Sequence, residues 1–163
     1  MSIILGIDPG TTTTWFAVIA SEKQKIEILE FGVITTPPKL SIDSKLFELG
    51  SDIEQIIEKY QPDVCGIEKL FFFNNQKTAI DVAQARGTIV YTLAKKWIPL
   101  IEYTPLQVKS GITGSGKADK KQVQNALKMI LKLDKIPKPD DAADALAIAW
   151  ITAKRNPILI SKP

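Results

Sequence analysis

The chain has 163 residues, 45% of them hydrophobic and 24% charged, with a formal net charge of +3. That length suits a single domain with a core large enough to fold alone, and no apolar run approaches the ~20 residues of a membrane-spanning helix. No histidine and one cysteine, Cys65, leave nothing from which to build a zinc site. Cys65 sits in an apolar strand, where a packed thiol is expected. Neither a basic flank nor a small-residue cleavage site marks the start, so a cytoplasmic address is expected.

Residues 2–8 form a buried-strand run that closes on Asp8, just before the turn Pro9-Gly10-Thr11-Thr12. Residues 15–20 make a second strand, and 25–36 a third, half-exposed one in which Ile26, Ile28, Phe31 and Val33 alternate imperfectly. Short turns between them predict an antiparallel meander, which Pro37-Pro38 ends. Ile42, Leu46, Leu49, Ile53, Ile56 and Ile57 predict a helix over 41–60, with Ser41 or Asp43 as N-cap. Residues 63–68 form a fourth strand, parallel to the first across that helical crossover. It also ends on an acid, Glu68.

A long helix is predicted over 75–97. Gly87 inside it weakens the helix by about 1 kcal/mol against alanine, which points to another helix packing closely there. A fifth strand over 98–103, a helical turn over 105–109, a glycine loop over 111–116 and a helix over 118–133 follow. Pro137 and Pro139 precede a last helix over 140–153, and 156–163 reads as a tail outside a domain of 1–155. The order β-β-β-α-β-α-β-α-α predicts an α/β domain of the ribonuclease-H-like three-layer fold, with a mixed five-stranded sheet and helices on both faces.

Three separate segments thus place an acid at the end of an element. Singly, each has a structural explanation: Asp8 can initiate its turn, and Asp141 and Asp144 suit the positive end of a helix. Glu68 is harder to explain that way, because glutamate is depleted in strands. Asp141 and Asp144 are three apart and share a helix face, while Asp140 competes with Asp141 for the role. Together Asp8, Glu68, Asp141 and Asp144 suggest an oxygen-ligand site for Mg²⁺ or Mn²⁺. Two such ions ~3.5–4 Å apart would stabilise both the attacking water and the leaving oxygen of a displacement at phosphorus. Without metal, four clustered acids would raise one another's pKa.

Lys109, Lys117, Lys120, Lys121, Lys128, Lys132, Lys135 and Lys138 crowd one third of the chain. Such a cluster is the footprint of phosphate-backbone binding, and on charge alone a solvated helix face explains it equally well. Gly111-Ile112-Thr113-Gly114-Ser115-Gly116-Lys117-Ala118 nearly spells a P-loop, but Ala118 stands where a Mg²⁺-ligating hydroxyl is required, so that reading is rejected. Gly6-Ile7-Asp8-Pro9-Gly10-Thr11-Thr12 is similar to the first phosphate loop of actin-like ATPases, but no second such loop follows. Of Phe71-Phe72-Phe73, an extended segment cannot bury all three on one side, and an exposed one could stack on an unpaired base.

These segments together resemble the RuvC family of bacterial crossover junction endodeoxyribonucleases along nearly the whole chain. The resemblance is carried by Ile4-Leu5-Gly6-Ile7-Asp8-Pro9-Gly10, by Glu68 followed by Phe71, and by Gln84-Ala85-Arg86-Gly87. Gln107-Val108-Lys109, Lys120 before Gln122-Val123, and Asp141-Ala142-Ala143-Asp144-Ala145-Leu146-Ala147 complete it. It implies a Mg²⁺-dependent homodimer that binds four-way junction DNA and nicks two strands symmetrically, in recombination and repair, with a branch-migration motor as a further partner. Asp8, Glu68, Asp141 and Asp144 would hold the two metal ions, and the register favours Asp141 over Asp140. Phe71 would stack on a base, and Lys109 and Lys120 would engage DNA near the scissile phosphate; apart from the resemblance, the donor-rich glycine loop with Lys117 is expected to contact a phosphate backbone. Arg86 and Gly87 would lie on the dimer helix. The first turn departs from the family, with Trp15 where glycine is usual and Thr12 where a basic residue is common. The alternatives are a ribonuclease-H-like nuclease on another branched or RNA-containing substrate, a non-catalytic junction scaffold, and an actin-like ATPase domain.

Overall fold

Apolar and β-branched residues concentrate in five short runs, and each becomes a strand of one sheet. The computed structural model describes residues 1–10, 12–23, 25–69, 76–135 and 140–155. Strands β1 (Ser2–Asp8), β2 (Thr13–Glu22) and β3 (Lys25–Thr35) form the antiparallel meander. Helix α1 (Ile42–Tyr60) then crosses over to β4 (Val64–Glu68), which pairs parallel with β1. Helix α2 (Gln76–Lys95) leads to β5 (Leu100–Tyr103), parallel to β4. Three helices close the fold: α3 (Pro105–Thr113), α4 (Lys120–Ile130) and α5 (Asp140–Arg155). The strand order is β3-β2-β1-β4-β5.

Side-chain alternation along the strands divides the interior in two. On one face Leu5, Ile7, Val18 and Ile67 meet Leu49, Ile53 and Ile57 of α1 and Ile89 and Leu93 of α2. On the other, Ile4, Ala17, Ile19 and Val64 meet Val108, Ile112, Leu127, Leu146 and Ile148 from the last three helices. The imperfect alternation of β3 has a cause: the pairing register with β2 shifts between Val18 and Ile19. Ile26 and Ile28 consequently pack on the α5 side and Ile34 on the α1 side.

Several boundaries differ from the sequence expectation. Strand β2 extends beyond 15–20, because Thr13 and Thr14 pair with Thr35 and Ile34, and Ser21 and Glu22 with Ile26 and Lys25. The turn expected over 105–109 is a full helix to Thr113, opened by a capping box in which Thr104 and Gln107 satisfy each other's backbone N–H groups. Gly111 therefore lies in a helix and not in a loop. A Cβ there would stand 2.7 Å from Ile151 Cγ2, so the glycine lets α3 approach α5. The chain turns only at Gly114, with φ 79°. Helix α4 is shorter than expected at both ends, capped by Asp119 at its start and followed by Lys132 in the left-handed region at φ 53°. Ser41 is the N-cap of α1, but its hydroxyl donates to Ser44 Oγ at 2.9 Å and accepts no helix N–H. Asp140 is the first residue of α5.

At Gly87 a Cβ meets nothing within 4 Å, so among the described residues no helix packs on it. The close approach of α5 occurs instead at the sheet. Gly6 and Gly66 are register neighbours on β1 and β4. A Cβ at Gly6 would stand 2.4 Å from the Ala145 carbonyl oxygen, and one at Gly66 would stand 2.1 Å from Thr152 Oγ1. Gly6→Ala should lower stability by about 1–3 kcal/mol or more, because backbone and not a flexible side chain must yield. The urea unfolding midpoint measures it, and a midpoint within error of the parent would refute the contact.

Candidate active site

Because β1 and β4 are adjacent and parallel, with Ile7 opposite Ile67, their last residues Asp8 and Glu68 emerge side by side at one end of the sheet. Helix α5 crosses the same end and contributes Asp141 and Asp144 from its first turns, where acids complement the macrodipole. Burial pushes the Asp8 carboxyl up to about 8, reinforced by the charges of Glu68, Asp144 and Asp141. Burial also raises Glu68, with Asp144 adding to the shift. Asp8 and Glu68 share a hydrogen bond that raises the first and lowers the second. The cluster therefore holds a proton that an isolated carboxylate would lose.

Two lysines stand against the acids. Lys120, the first residue of α4, places Nζ 3.1 Å from Asp141 Oδ1 and 3.8 Å from Asp144 Oδ2. Lys109 of α3 and Lys120 line a 230 Å³ pocket together with Glu68 and Asp144, floored by Val108 and Ile148. The structure thus brings Asp8, Glu68, Asp141, Asp144, Lys109 and Lys120 to one place. Among the described residues, no three His, Cys, Asp or Glu side chains stand close enough to hold an ion as they are. The donor chemistry nonetheless fits a hard divalent cation, since every candidate ligand is a carboxylate oxygen.

Other predicted residues lie elsewhere. Lys117 lines a separate depression between α3 and α4 with Ser115, Gln122 and Met129. The loop bearing it follows a helix, which accords with rejecting a P-loop. Arg86 is ion-paired with Glu102 of β5. Phe71 and its two neighbours lie outside the described residues. One neighbour of the site had no assigned role in the sequence reading: Trp15 is the direct cross-strand partner of Asp8. The signal for it is the hairpin register, which sequence alone does not supply.

The family model described as crossover junction endodeoxyribonuclease RuvC matches residues 4–152. This chain belongs to the RuvC family. A RuvC from Thermosipho melanesiensis is 49% identical over 150 residues, covering 92% of this chain and 96% of that protein. A RuvC from Syntrophomonas wolfei is 46% identical over 146 residues, covering 90% and 85%. Among solved structures, T. thermophilus RuvC in complex with a Holliday junction substrate superposes with a TM-score of 0.88 at 29% identity, covering 94% of this chain and 93% of that one. The chain has the α/β, ribonuclease-H-like fold of the RuvC family, with the mixed sheet and two helical layers described above.

The raised Asp8 carboxyl carries a stability consequence. It binds a proton in the folded chain up to about 8, against an ordinary value of 3.8, so stability falls as pH rises through that window. Asp8→Asn cannot ionise and escapes the loss. In EDTA at pH 9 the variant should melt at least ~2–4 °C above the parent, an effect of about 1 kcal/mol for a chain of this size. An equal or lower melting temperature would show that Asp8 is not held protonated as placed.

Proposed function

We propose that the chain is a crossover junction endodeoxyribonuclease that resolves Holliday junctions in DNA recombination and repair. The observation that carries this reading is the meeting of Asp8, Glu68, Asp141 and Asp144 beside Lys109 and Lys120, in a chain 49% identical to a RuvC. A relative of the same fold is known in complex with a Holliday junction substrate.

The four acids are proposed to hold Mg²⁺, two ions per site, with Mn²⁺ able to substitute. Carboxylate-only donors support this, as does the combination of burial and charge crowding that raises Asp8 and Glu68, whose charge a divalent cation neutralises. When bound, the ions supply water activation and neutralise charge developing at phosphorus. The chain's own residues do the rest. Lys109 and Lys120 hold the scissile phosphate at the mouth of the pocket. Phe71 stacks on an unpaired base, and Lys117 follows the backbone farther out.

A homodimer belongs to the same proposal. Helix α2 leaves Ile80, Gly87 and Tyr91 on one exposed stripe, with Ile80 and Tyr91 each 68% exposed and Gly87 open. A second copy packing there would give two sites for two symmetric nicks. A branch-migration motor is a further proposed partner, and a cytoplasmic location completes the picture. No described helix is long and apolar enough to cross a membrane.

The test is cleavage of a mobile synthetic four-way junction beside linear duplex of the same sequence, with Mg²⁺. Paired symmetric nicks are expected on the junction alone, and Asp8→Asn should reduce them at least ~100-fold while junction binding persists. Binding without nicks by the parent would point to a scaffold. Sedimentation of the parent should show a dimer that Gly87→Glu converts to monomer, and a monomeric parent would remove the dimer from the proposal.

A further inference from the structure

The carboxylate site has two unlike walls. Toward β4 and β5 it is bounded by Lys109 and Lys120. Toward β2 and β3 the sheet register continues it with apolar side chains: Asp8 pairs with Trp15, and Trp15 with Val33. Direct cross-strand partners point to the same face with Cβ atoms about 4.5–5.5 Å apart, so Asp8, Trp15 and Val33 form one row. The next row is Gly6, Ala17 and Phe31. This is the face that α5 covers, since Trp15 and Ala17 both belong to the core beneath it. The cover ends before the edge strand: Trp15 is half-buried, while Phe31 and Val33 are each 41% exposed.

An apolar ledge in register with a phosphodiester-cleaving acid has one natural occupant on the same strand. A nucleotide chain alternates charged phosphates with flat apolar base faces. A phosphate held at the acids by lysines on one side can place one of its two neighbouring nucleosides on the other. Indole and phenyl rings suit that nucleoside, because every base has a face on which an aromatic can stack. Core packing beneath Trp15 fixes the ring in advance, so little side-chain freedom is lost on contact. Thr12 and Thr13 at the same end are exposed, and their hydroxyls are available to a nucleotide backbone there.

Resting on the nuclease reading above, we infer that Trp15, Phe31 and Val33 form a stacking shelf for the base next to the scissile phosphate, on the side away from Lys109 and Lys120. Trp15 and Phe31 are thereby positioning residues that act on the substrate strand. Stacking favours the larger purine face, so the shelf also imposes a mild purine preference at that nucleotide.

The test places 2-aminopurine at each nucleotide flanking the cut of a four-way junction and binds it to Asp8→Asn protein, which holds the junction intact. One position should be quenched on binding. Trp15→Ala in that background should relieve the quench, and Trp15→Phe should keep part of it. In otherwise unaltered protein, Trp15→Ala and the more exposed Phe31→Ala should each slow single-turnover cleavage about fivefold or more and flatten the purine preference. Cleavage by the parent with unchanged quench and unchanged base preference in the variants overturns the shelf and leaves the nuclease reading intact. Slower cleavage with the quench and preference retained shows that Trp15 only supports the fold, and overturns the shelf equally. A parent that neither binds nor cuts junctions defeats the nuclease reading, and the shelf with it.

Discussion

The site depends on how closely α5 lies on the sheet. Gly6 and Gly66 stand side by side on β1 and β4, and α5 presses Ala145, Ala149 and Thr152 onto the flat patch they leave. Neither glycine is needed for backbone freedom in a strand, where it weakens pairing. Each is needed for what its missing Cβ allows. The small residues of α5 serve the same end, since Ala142, Ala143, Ala145, Ala147 and Ala149 are all fully buried. Larger side chains in either layer would lift the helix and carry Asp141 and Asp144 away from Asp8 and Glu68. The unusual alanine content of α5 is thus a condition of the carboxylate cluster as well as of the core.

Topology supplies the other half. Strand β1 pairs antiparallel with β2 on one side and parallel with β4 on the other. The change of direction brings the C-terminal ends of β1 and β4 and the N-terminal end of β2 to one rim. Ligand sites of open α/β sheets favour the carboxyl ends of strands, and here both acids are strand-terminal. The same reversal puts Trp15, early in β2, beside Asp8, late in β1.

Much of this was legible in the sequence because it rests on short-range signals. Each strand-end acid follows a buried run, and Asp141 and Asp144 are one helical turn apart. What was hidden is tertiary. Gly111 reads as a loop residue but serves close packing of α3 on Ile151, so the helix runs through it. Gly87 predicts close helix packing, and among the described residues of one chain nothing meets it. The ends of β2 are rich in Thr, Ser and Glu, and only pairing with β3 makes them strand. Lys109 and Lys117 are similar in sequence terms, yet only the first lines the acid pocket, because helix α3 turns one inward and its C-cap at Gly114 sends the following loop elsewhere.

The two lysines show how local and global forces are set against each other. Lys120 occupies the first position of α4, where a cation opposes the helix macrodipole. Its position is nevertheless held firmly. Asp119 Oδ1 accepts the Gln122 N–H at 2.8 Å, and the Gln122 side chain accepts the Asp119 N–H at 2.9 Å. The second capping box, Thr104 with Gln107, anchors α3 and with it Lys109. Both helices that carry a site lysine are therefore fixed at the end nearest the acids by reciprocal hydrogen bonds. The local disadvantage at Lys120 is offset by Asp141 and Asp144, which come from the start of another helix. Two helix N-termini converge, one bearing cations and one bearing acids, over buried carboxyls that repel one another. Such an arrangement is poor for stability and well placed for a charged substrate, because each pairing across it is exchangeable for a phosphate or a cation.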